Sequence, residues 1–322
     1  MRTYVLRRVL QTIPLLFGIS LITFLLLQLA PGDFLNQMAE NPGITAETIE
    51  AMRVRFGLDK PWYVQYWIYL RNVVLHFDFG ESFSRHQPVF DVLSEGFANT
   101  LLLATAAALV TWGLAVPLGM LAAVRQHSWI DRTLSLIAFI WLSIPEILSG
   151  LLLLMFAART GWFPVGGMRS LDYDELDGIS QFWDIAHHLV LPALVVGLIP
   201  LASRMRQMRG SLLDVLRLDY VTTARAKGLS ERTVIIKHAL RNALNPMITL
   251  FGYTLGALVS GSFIAEIIFS WPGLGRLTLD AILTQDQYLV MGAVLMASLV
   301  LIVGNLIADL LLALADPRIS YD

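Results

Sequence analysis

The sequence predicts an all-α integral membrane protein with six transmembrane helices. Hydrophobic residues make up 56% of the 322 residues and charged residues only 15%, whereas soluble domains carry about a quarter charged residues. The mean hydropathy is +0.64. The apolar residues are gathered into stretches of about 20 residues, the length that a helix needs to cross a bilayer. This composition excludes a soluble enzyme domain and a disordered chain.

Six stretches have this length, at about residues 9–30, 98–124, 133–157, 187–203, 247–269 and 289–314. The fourth is short and contains Pro192 and Pro200. The first follows Arg2, Arg7 and Arg8 and is longer than the apolar region of a cleaved signal peptide, which has about 7–15 residues. We therefore expect the first stretch to be an uncleaved anchor.

Basic residues predict the orientation, because they are enriched in cytoplasmic loops. The segment 204–246 carries nine arginines and lysines, and further ones lie at the N-terminus. We therefore predict that both termini are cytoplasmic. The net charge of -2 gives no basic field for nucleic acid. The chain has no cysteine, which excludes disulfides and zinc fingers.

Three regions follow from this topology: an anchor helix at 1–30, an extracytoplasmic segment at 31–97, and a five-span core at 98–322. In the second region we predict a short helix over 45–56, with Thr45 as its N-cap and Gly57 as its stop. An aromatic cluster follows at Trp62, Tyr63, Tyr66, Trp67 and Tyr69. It is typical of an aromatic belt at the lipid headgroups or of a docking surface for an external partner.

The basic segment 204–246 is the most informative part of the chain. It predicts two helices separated at Gly228, the second beginning after Ser230 and ending at Pro246. Ile236, Leu240 and Leu244 recur every four residues, with Ala239 and Ala243 beside them, and predict an amphipathic stripe. Such a helix lies on anionic lipid or inserts into a cytoplasmic partner, and the pattern leaves both open.

Motifs in this segment resemble the coupling loop of ABC importer permeases, specifically their peptide/nickel/opine branch. The resemblance rests on residues 220–228 (YVTTARAKG), on 238–242 (HALRN) and on Pro246. The glutamate that begins the general motif is replaced by Thr222, a departure also common in the peptide branch. Further matching motifs run through the chain, at 31–33, 56–61, 79–80, 99–100, 143–145, 161–164, 269–275 and 316–318.

The resemblance implies the type I ABC importer fold and an ATP-driven, binding-protein-dependent importer of di- or oligopeptides in a bacterial inner membrane. The implied partners are a second permease chain, two ATPase subunits, an extracytoplasmic binding protein and the lipid bilayer. The residues that it assigns to coupling are Tyr220, Thr223, Ala224, Arg225, Ala226, Lys227, Gly228, His238, Asn242 and Pro246.

We predict neither enzymatic activity nor a cofactor for the chain itself. The phosphate-binding pattern G-x-x-x-x-G-K-[ST] is missing from the sequence, and nucleotide phosphates need such a glycine-rich loop. ATP is therefore expected to bind to partner subunits. His187 and His188 are adjacent, and this spacing does not place two metal ligands on one helix face.

Ionisable residues inside spans are functional candidates, because burying a charge in a membrane is costly. Glu146 and Glu266 are candidates for the transport pathway or its gate, and a structural role for Glu266 beside the loop 271–275 stays open. Asn305 and Asp309 share one face of the sixth span and predict an interhelical hydrogen bond. Gly252 and Gly256 form a small-xxx-small pair, which favours close helix packing.

Two alternatives remain at this level. A secondary transporter or channel subunit would use spans interrupted by Pro and Gly, with the basic segment lying on lipid. Within the importer interpretation, nickel chelates, opines and glutathione-like peptides are alternative cargoes.

Overall fold

The structure is a computed structural model that describes residues 2–30, 32, 34–39, 44–248, 250–251, 254 and 262–315, with side chains from residue 10 to residue 306 apart from those of residues 36 and 37. These residues are almost entirely helical. The helices are α1 Arg2–Leu29, α2 Phe34–Ala39, α3 Ala46–Arg55, α4 Trp62–His76, α5 Val89–Val124, α6 Trp129–Ser143, α7 Glu146–Thr160, α8 Gly178–Leu216, α9 Asp219–Ala226, α10 Glu231–Thr233, α11 Leu240–Ala243, α12 Phe263–Ile268, α13 Leu274–Leu283 and α14 Gln287–Ala315. A 3-10 turn lies at Tyr173–Glu175, and a π-helix at Val234–Ala239 joins α10 to α11.

Four helices are long and apolar enough to cross a membrane, over Leu10–Leu29, Val89–Val124, Gly178–Leu216 and Gln287–Leu306. They confirm the first, second, fourth and sixth predicted spans. The fourth is longer than predicted, because α8 continues through both prolines into the basic segment. The predicted fifth span at 247–269 lies largely outside the described residues.

The third predicted span, at 133–157, is an apolar pair of helices and not one continuous helix. Two helices of 15 residues occupy this region, α6 and α7, and they are bent by 103° relative to each other. The reason is Pro145, which has no backbone N–H and disfavours helical geometry at the residue before it. Ile144 is accordingly extended, with φ -87° and ψ 122°.

The chain forms two compact units. The first comprises residues 1–100 and 272–300. Its core contains Val89, Leu93, Leu277 and Leu289. The predicted short helix over 45–56 is confirmed as α3, where the Thr45 side chain accepts a hydrogen bond from the Thr48 N–H.

The second unit comprises residues 101–271 and 301–322. Its helices approach closely at small residues. A Cβ on Gly197 would lie 2.7 Å from the carbonyl oxygen of Ala107, and one on Gly119 would lie 2.6 Å from that of Met205. Thr111 strengthens the first contact, because its hydroxyl donates to the Gly197 carbonyl at 2.7 Å. This packing positions α8, which carries the basic segment.

Candidate functional site

The basic segment forms two short helical pieces after α8. The first is α9, and the second, at 231–243, consists of α10, the π-helix and α11. α9 ends at Ala226 with Lys227 as its C-cap, and Gly228 then takes a left-handed conformation with φ +78°, which glycine adopts without steric cost. Ser230 caps the next helix by accepting a hydrogen bond from the Thr233 N–H. The predicted break at Gly228 and the predicted cap at Ser230 are thus both confirmed.

Apolar contacts hold α9 against its neighbours. Val221 and Ala224 face inward, with exposed fractions of 0% and 7%. They belong to a buried cluster with residues from α5, α8 and the second helical piece: Ala123, Met208, Leu212, Val215, Val234, Ala239, Ala243 and Met247. Because the cluster draws on all these elements, α9 is fixed in place relative to α8.

The second helical piece faces inward with most of the predicted stripe. Ala239 and Ala243 are fully buried, and Leu240 and Leu244 pack against the same cluster. Ile236 departs from the prediction, since it is 49% exposed. It lies in the π-helix at Val234–Ala239, whose wider turn changes which residues face inward.

Tyr220 connects the two pieces by hydrogen bonds. Its hydroxyl accepts from the Asn242 side-chain amide at 2.7 Å and donates to the His238 carbonyl at 3.4 Å. Three of the predicted coupling residues therefore meet at one point: Tyr220, His238 and Asn242. They lie up to 22 positions apart in the sequence. A further bond runs from the Ser211 hydroxyl on α8 to the Ala243 carbonyl, at 2.8 Å.

An ion pair spans the Gly228 bend. The Arg225 guanidinium donates to both oxygens of the Glu231 carboxylate, at 2.7 to 3.2 Å. The hydrogen bonds from Arg225 lower the pKa of Glu231 below its ordinary value, and the same contact raises the pKa of Arg225. Both groups therefore stay charged at neutral pH.

The remaining predicted coupling residues lie at the surface or support it. The Thr223 hydroxyl donates to the Asp219 carbonyl at 2.8 Å. Ala226, Lys227 and Gly228 are exposed, and so is Pro246, in the first turn of the helical stretch 245–248.

The surface of this segment is partly apolar. Leu218, Tyr220, Leu229 and Ile236 are between 38% and 49% exposed, and the same segment carries the exposed cations Lys227, Arg232, Lys237 and Arg241. We refer to these eight residues as the loop surface. It combines apolar contact area with positive charge.

Sequence reasoning missed a buried ion pair that supports this segment. Asp131, at the start of α6, is 4% exposed and accepts from Arg209 Nε at 2.7 Å and Arg209 Nη2 at 2.8 Å. The His127 N–H donates to the same carboxylate at 3.0 Å. The two partners are 78 residues apart, so no local spacing could have indicated the pair.

Glu146 is the first residue of α7, directly after the bend at Pro145. Its Oε1 atom is buried and has no hydrogen-bond partner. A carboxylate oxygen buried in this way is costly unless another molecule satisfies it. This environment is compatible with the predicted place on a transport pathway.

Glu266 is fully buried and hydrogen-bonded. Its Oε1 accepts from the Ser262 hydroxyl at 2.8 Å, and its backbone carbonyl accepts from the Trp271 N–H at 2.9 Å. These contacts favour the structural role beside the loop 271–275 over a role as a gate.

The other intramembrane candidates are only partly described. Asn305 is half-buried on α14, whereas the Asp309 side chain, Gly252 and Gly256 lie outside the described residues. The His187 Nε2 atom lies 2.8 Å from the Trp162 carbonyl oxygen. No cluster of potential metal ligands occurs among the residues whose positions are described.

Comparisons with known proteins cover the whole chain. Residues 115–321 match the family model of the binding-protein-dependent transport system inner membrane component. Residues 1–104 match the model for the N-terminal part of such membrane components.

Curated relatives are similar over their full length. An oligopeptide transport system permease protein of Bacillus subtilis is 40% identical over 323 residues, with all of both chains covered. A dipeptide transport system permease protein of Escherichia coli is 38% identical over 338 residues, covering 100% of this chain and 99% of the relative. Among solved structures, an inward-facing methionine ABC transporter matches 69% of this chain and 97% of its own with a TM-score of 0.51. At 19% identity this likeness shows the fold alone.

Proposed function

We propose, from the premise that the chain belongs to the family of binding-protein-dependent transport system inner membrane components, that it forms half of the translocation pathway of an ATP-driven importer of short peptides. The peptide cargo is supported by the curated relatives, whose names specify oligopeptide and dipeptide transport. Their identity of 38–40% extends over the complete chain and includes the segment 204–246.

The observation that carries the coupling role is the way the segment 204–246 is fixed. α8 is one helix of 39 residues, and the Asp131–Arg209 pair attaches its basic part to the start of α6. α9 is in turn fixed by the apolar cluster and by the hydrogen bonds of Tyr220. A force applied to the loop surface is therefore transmitted to the membrane helices and not absorbed by the loop.

The loop surface suits contact with ATPase subunits in the cytoplasm. Its four exposed apolar side chains provide contact area, and its four cations favour an acidic rim on the partner. Thr222 stands where the general motif has glutamate, so the coupling would use the cations of this segment instead. ATP would bind to the ATPase subunits, two per importer, while a second permease chain would complete the pathway and an extracytoplasmic binding protein would deliver the peptide.

Glu146 is the residue we assign to the pathway. Its unpartnered carboxylate oxygen lies at the bend between α6 and α7, and an ammonium group would satisfy it. The N-terminus of a peptide supplies such a group. Glu266, whose Oε1 accepts from Ser262, has a structural role in this proposal.

The testing experiment is affinity purification of the tagged chain from native membranes, followed by mass spectrometry. Recovery of a second permease chain and one or two ATPases is expected. A matched variant with Lys227, Lys237 and Arg241 each changed to glutamine should lose the ATPases and keep the second permease. Recovery of the chain alone, from membranes in which the ATPases are present, would contradict the proposal and favour a secondary transporter or channel.

A further inference from the structure

The first unit contains a cavity that the proposed coupling and transport roles do not use. Its volume is about 320 Å³, which lies at the small end of the range of about 300–1,000 Å³ for ligand pockets. α3, α4 and the beginning of α14 surround it. Its lining includes Arg55, Lys60, Tyr69, Asp78, Glu81 and Tyr288.

Two tyrosines form an aromatic wall of this cavity. The rings of Tyr69 and Tyr288 are stacked, with centroids 6.1 Å apart and an interplanar angle of 18°. The Tyr288 hydroxyl donates to the Phe56 carbonyl at 3.3 Å. The backbone at Gly80, with φ +88°, passes directly over the Tyr288 ring, where an added Cβ would lie 3.1 Å from a ring carbon.

The Tyr69 hydroxyl is the unexplained group. Tyr69 is only 4% exposed, yet its hydroxyl oxygen has no hydrogen-bond partner. Burial raises the pKa of this hydroxyl, so it is a neutral donor at physiological pH. Leaving a buried hydroxyl unsatisfied is unfavourable, so a polar atom that reaches it from the cavity, of water or of a ligand, gains a hydrogen bond there.

Charges of both signs line the same cavity. Arg55 and Glu81 already pair with each other, at 3.3 Å. Asp78 accepts the Gly80 N–H through Oδ1 at 2.9 Å, which leaves its Oδ2 available. In the part of the chain that the structure describes, the Lys60 ammonium has no carboxylate partner within ion-pair distance. Among the described residues, the lining therefore offers the Lys60 cation and the Oδ2 atom of Asp78 for contact with a ligand.

We propose that this cavity binds a small zwitterion, an amino acid or a dipeptide. Lys60 would contact the ligand carboxylate, Asp78 the ligand ammonium, and the Tyr69 hydroxyl a third polar atom. A ligand with one charge would pair with only one of the two protein groups. All lining residues except Tyr288 lie in the segment 31–97, which we expect to be extracytoplasmic. The inference does not depend on the coupling role of the segment 204–246.

The test uses the full chain in lipid nanodiscs and isothermal titration calorimetry, with L-alanine and L-alanyl-L-alanine as probes. N-acetyl-L-alanine lacks the ammonium and L-alaninamide lacks the carboxylate. We expect at least one of the two zwitterions to bind and each capped analogue to bind at least tenfold more weakly. The zwitterion that binds more tightly shows whether the ligand of this cavity is an amino acid or a dipeptide.

Substitutions localise the binding. Lys60→Gln and Asp78→Asn should each weaken it at least tenfold, and Asn at position 78 keeps an oxygen for the Gly80 N–H. Tyr69→Phe keeps the ring stacking and should weaken binding about two- to tenfold, as loss of one hydrogen bond does. Asp59→Asn and Arg71→Gln change nearby exposed charges outside the cavity and should leave binding unchanged.

Three results would overturn the proposal: no binding of either zwitterion, equal binding of the capped analogues, or binding that survives the Lys60 and Asp78 substitutions. The last result would place the ligand elsewhere in the chain. None of these measurements involves ATP or an ATPase, so failure here is distinguishable from failure of the importer function.

Discussion

Tyr220 has the most direct role among individual residues of the basic segment, because its hydroxyl joins α9 to the second helical piece. Replacing Tyr220 with Phe removes both hydrogen bonds and keeps the ring. The shorter bond, from Asn242 at 2.7 Å, dominates this loss and contributes about 0.5–1.5 kcal/mol, so we expect the peptide transported per ATP hydrolysed to fall about two- to tenfold. Proteoliposomes with the assembled importer would measure this ratio. Tyr63→Phe, on an exposed side chain, is the matched control, and an unchanged ratio in Tyr220→Phe would contradict a coupling role.

Glu146→Gln tests the pathway assignment. The amide preserves the shape of the side chain and removes the charge that would meet a peptide ammonium. Because a hydrogen bond to a charged group contributes about 1.5–3 kcal/mol, peptide uptake should weaken about tenfold or more while the assembled complex is recovered in normal amount. Glu175→Gln, in an exposed loop, should behave as the unsubstituted chain. Normal uptake by Glu146→Gln would exclude the role.

The Arg225–Glu231 pair gives the Gly228 bend a defined pH dependence. The folded-state pKa of Glu231 is lowered. The pair therefore stabilises the bend fully above the ordinary glutamate pKa of about 4.3, and this stabilisation is lost as the pH falls through the folded-state pKa. A spin label at position 229 should therefore keep constant mobility between about pH 8 and pH 5 and become more mobile only in stronger acid. Glu231→Gln should be mobile throughout, and a transition near neutral pH would argue against the pair.

At the scale of elements, the bend between α6 and α7 is the feature that differs most from the sequence prediction. The absence of cysteine allows spin labels to be placed only where wanted. Labels at Leu136 and Met155 are 19 residues apart, and a continuous helix would separate them by about 28 Å, whereas a 103° bend reduces the separation to about 18 Å. Pulsed electron paramagnetic resonance measures this distance. Labels at His187 and Arg206, also 19 residues apart on continuous α8, should give the longer value, and a long distance in both pairs would refute the bend.

How far the sequence predicts these elements depends on how local their causes are. Thr45, Gly57, Gly228 and Ser230 were identified correctly because caps and left-handed turns act within three or four residues. The π-helix was missed, because no residue type marks it. Hydropathy likewise predicted one apolar stretch across Pro145, because it measures residue composition and not the direction of the helix axis.

The sequence predicted which residues belong to the candidate site but not how they contact each other. The coupling residues were identified by resemblance to a family, whereas the contact among Tyr220, His238 and Asn242 is seen only in the folded chain. The pairing of Asp131 with Arg209 could not be predicted, because in the sequence each is an ordinary charged residue near the end of a membrane span. Asp286 is similar: it is fully buried and accepts from the Ser82 and Ser84 hydroxyls at 2.6 and 2.9 Å, a contact across about 200 residues.

For the whole molecule, the topology is the property that other conclusions depend on. We predict that both termini are cytoplasmic, so a green fluorescent protein fused after Asp322 should fluoresce, and alkaline phosphatase at the same place should be inactive. The same reporters inserted after Asp174, in the loop before α8, should give the opposite pattern. Phosphatase activity after Asp322 would invert the assignment of the basic segment to the cytoplasm.

The bend at Pro145 has a consequence for the surrounding lipid. Each of α6 and α7 has 15 residues and is therefore only about 22 Å long, shorter than a hydrocarbon core of about 30 Å. Neither half can cross alone, and together they form a broken span or a re-entrant pair. In either arrangement the backbone groups at the bend cannot be left facing lipid tails, which offer no hydrogen-bond partner. Protein or water must therefore cover the bend and keep lipid away from it.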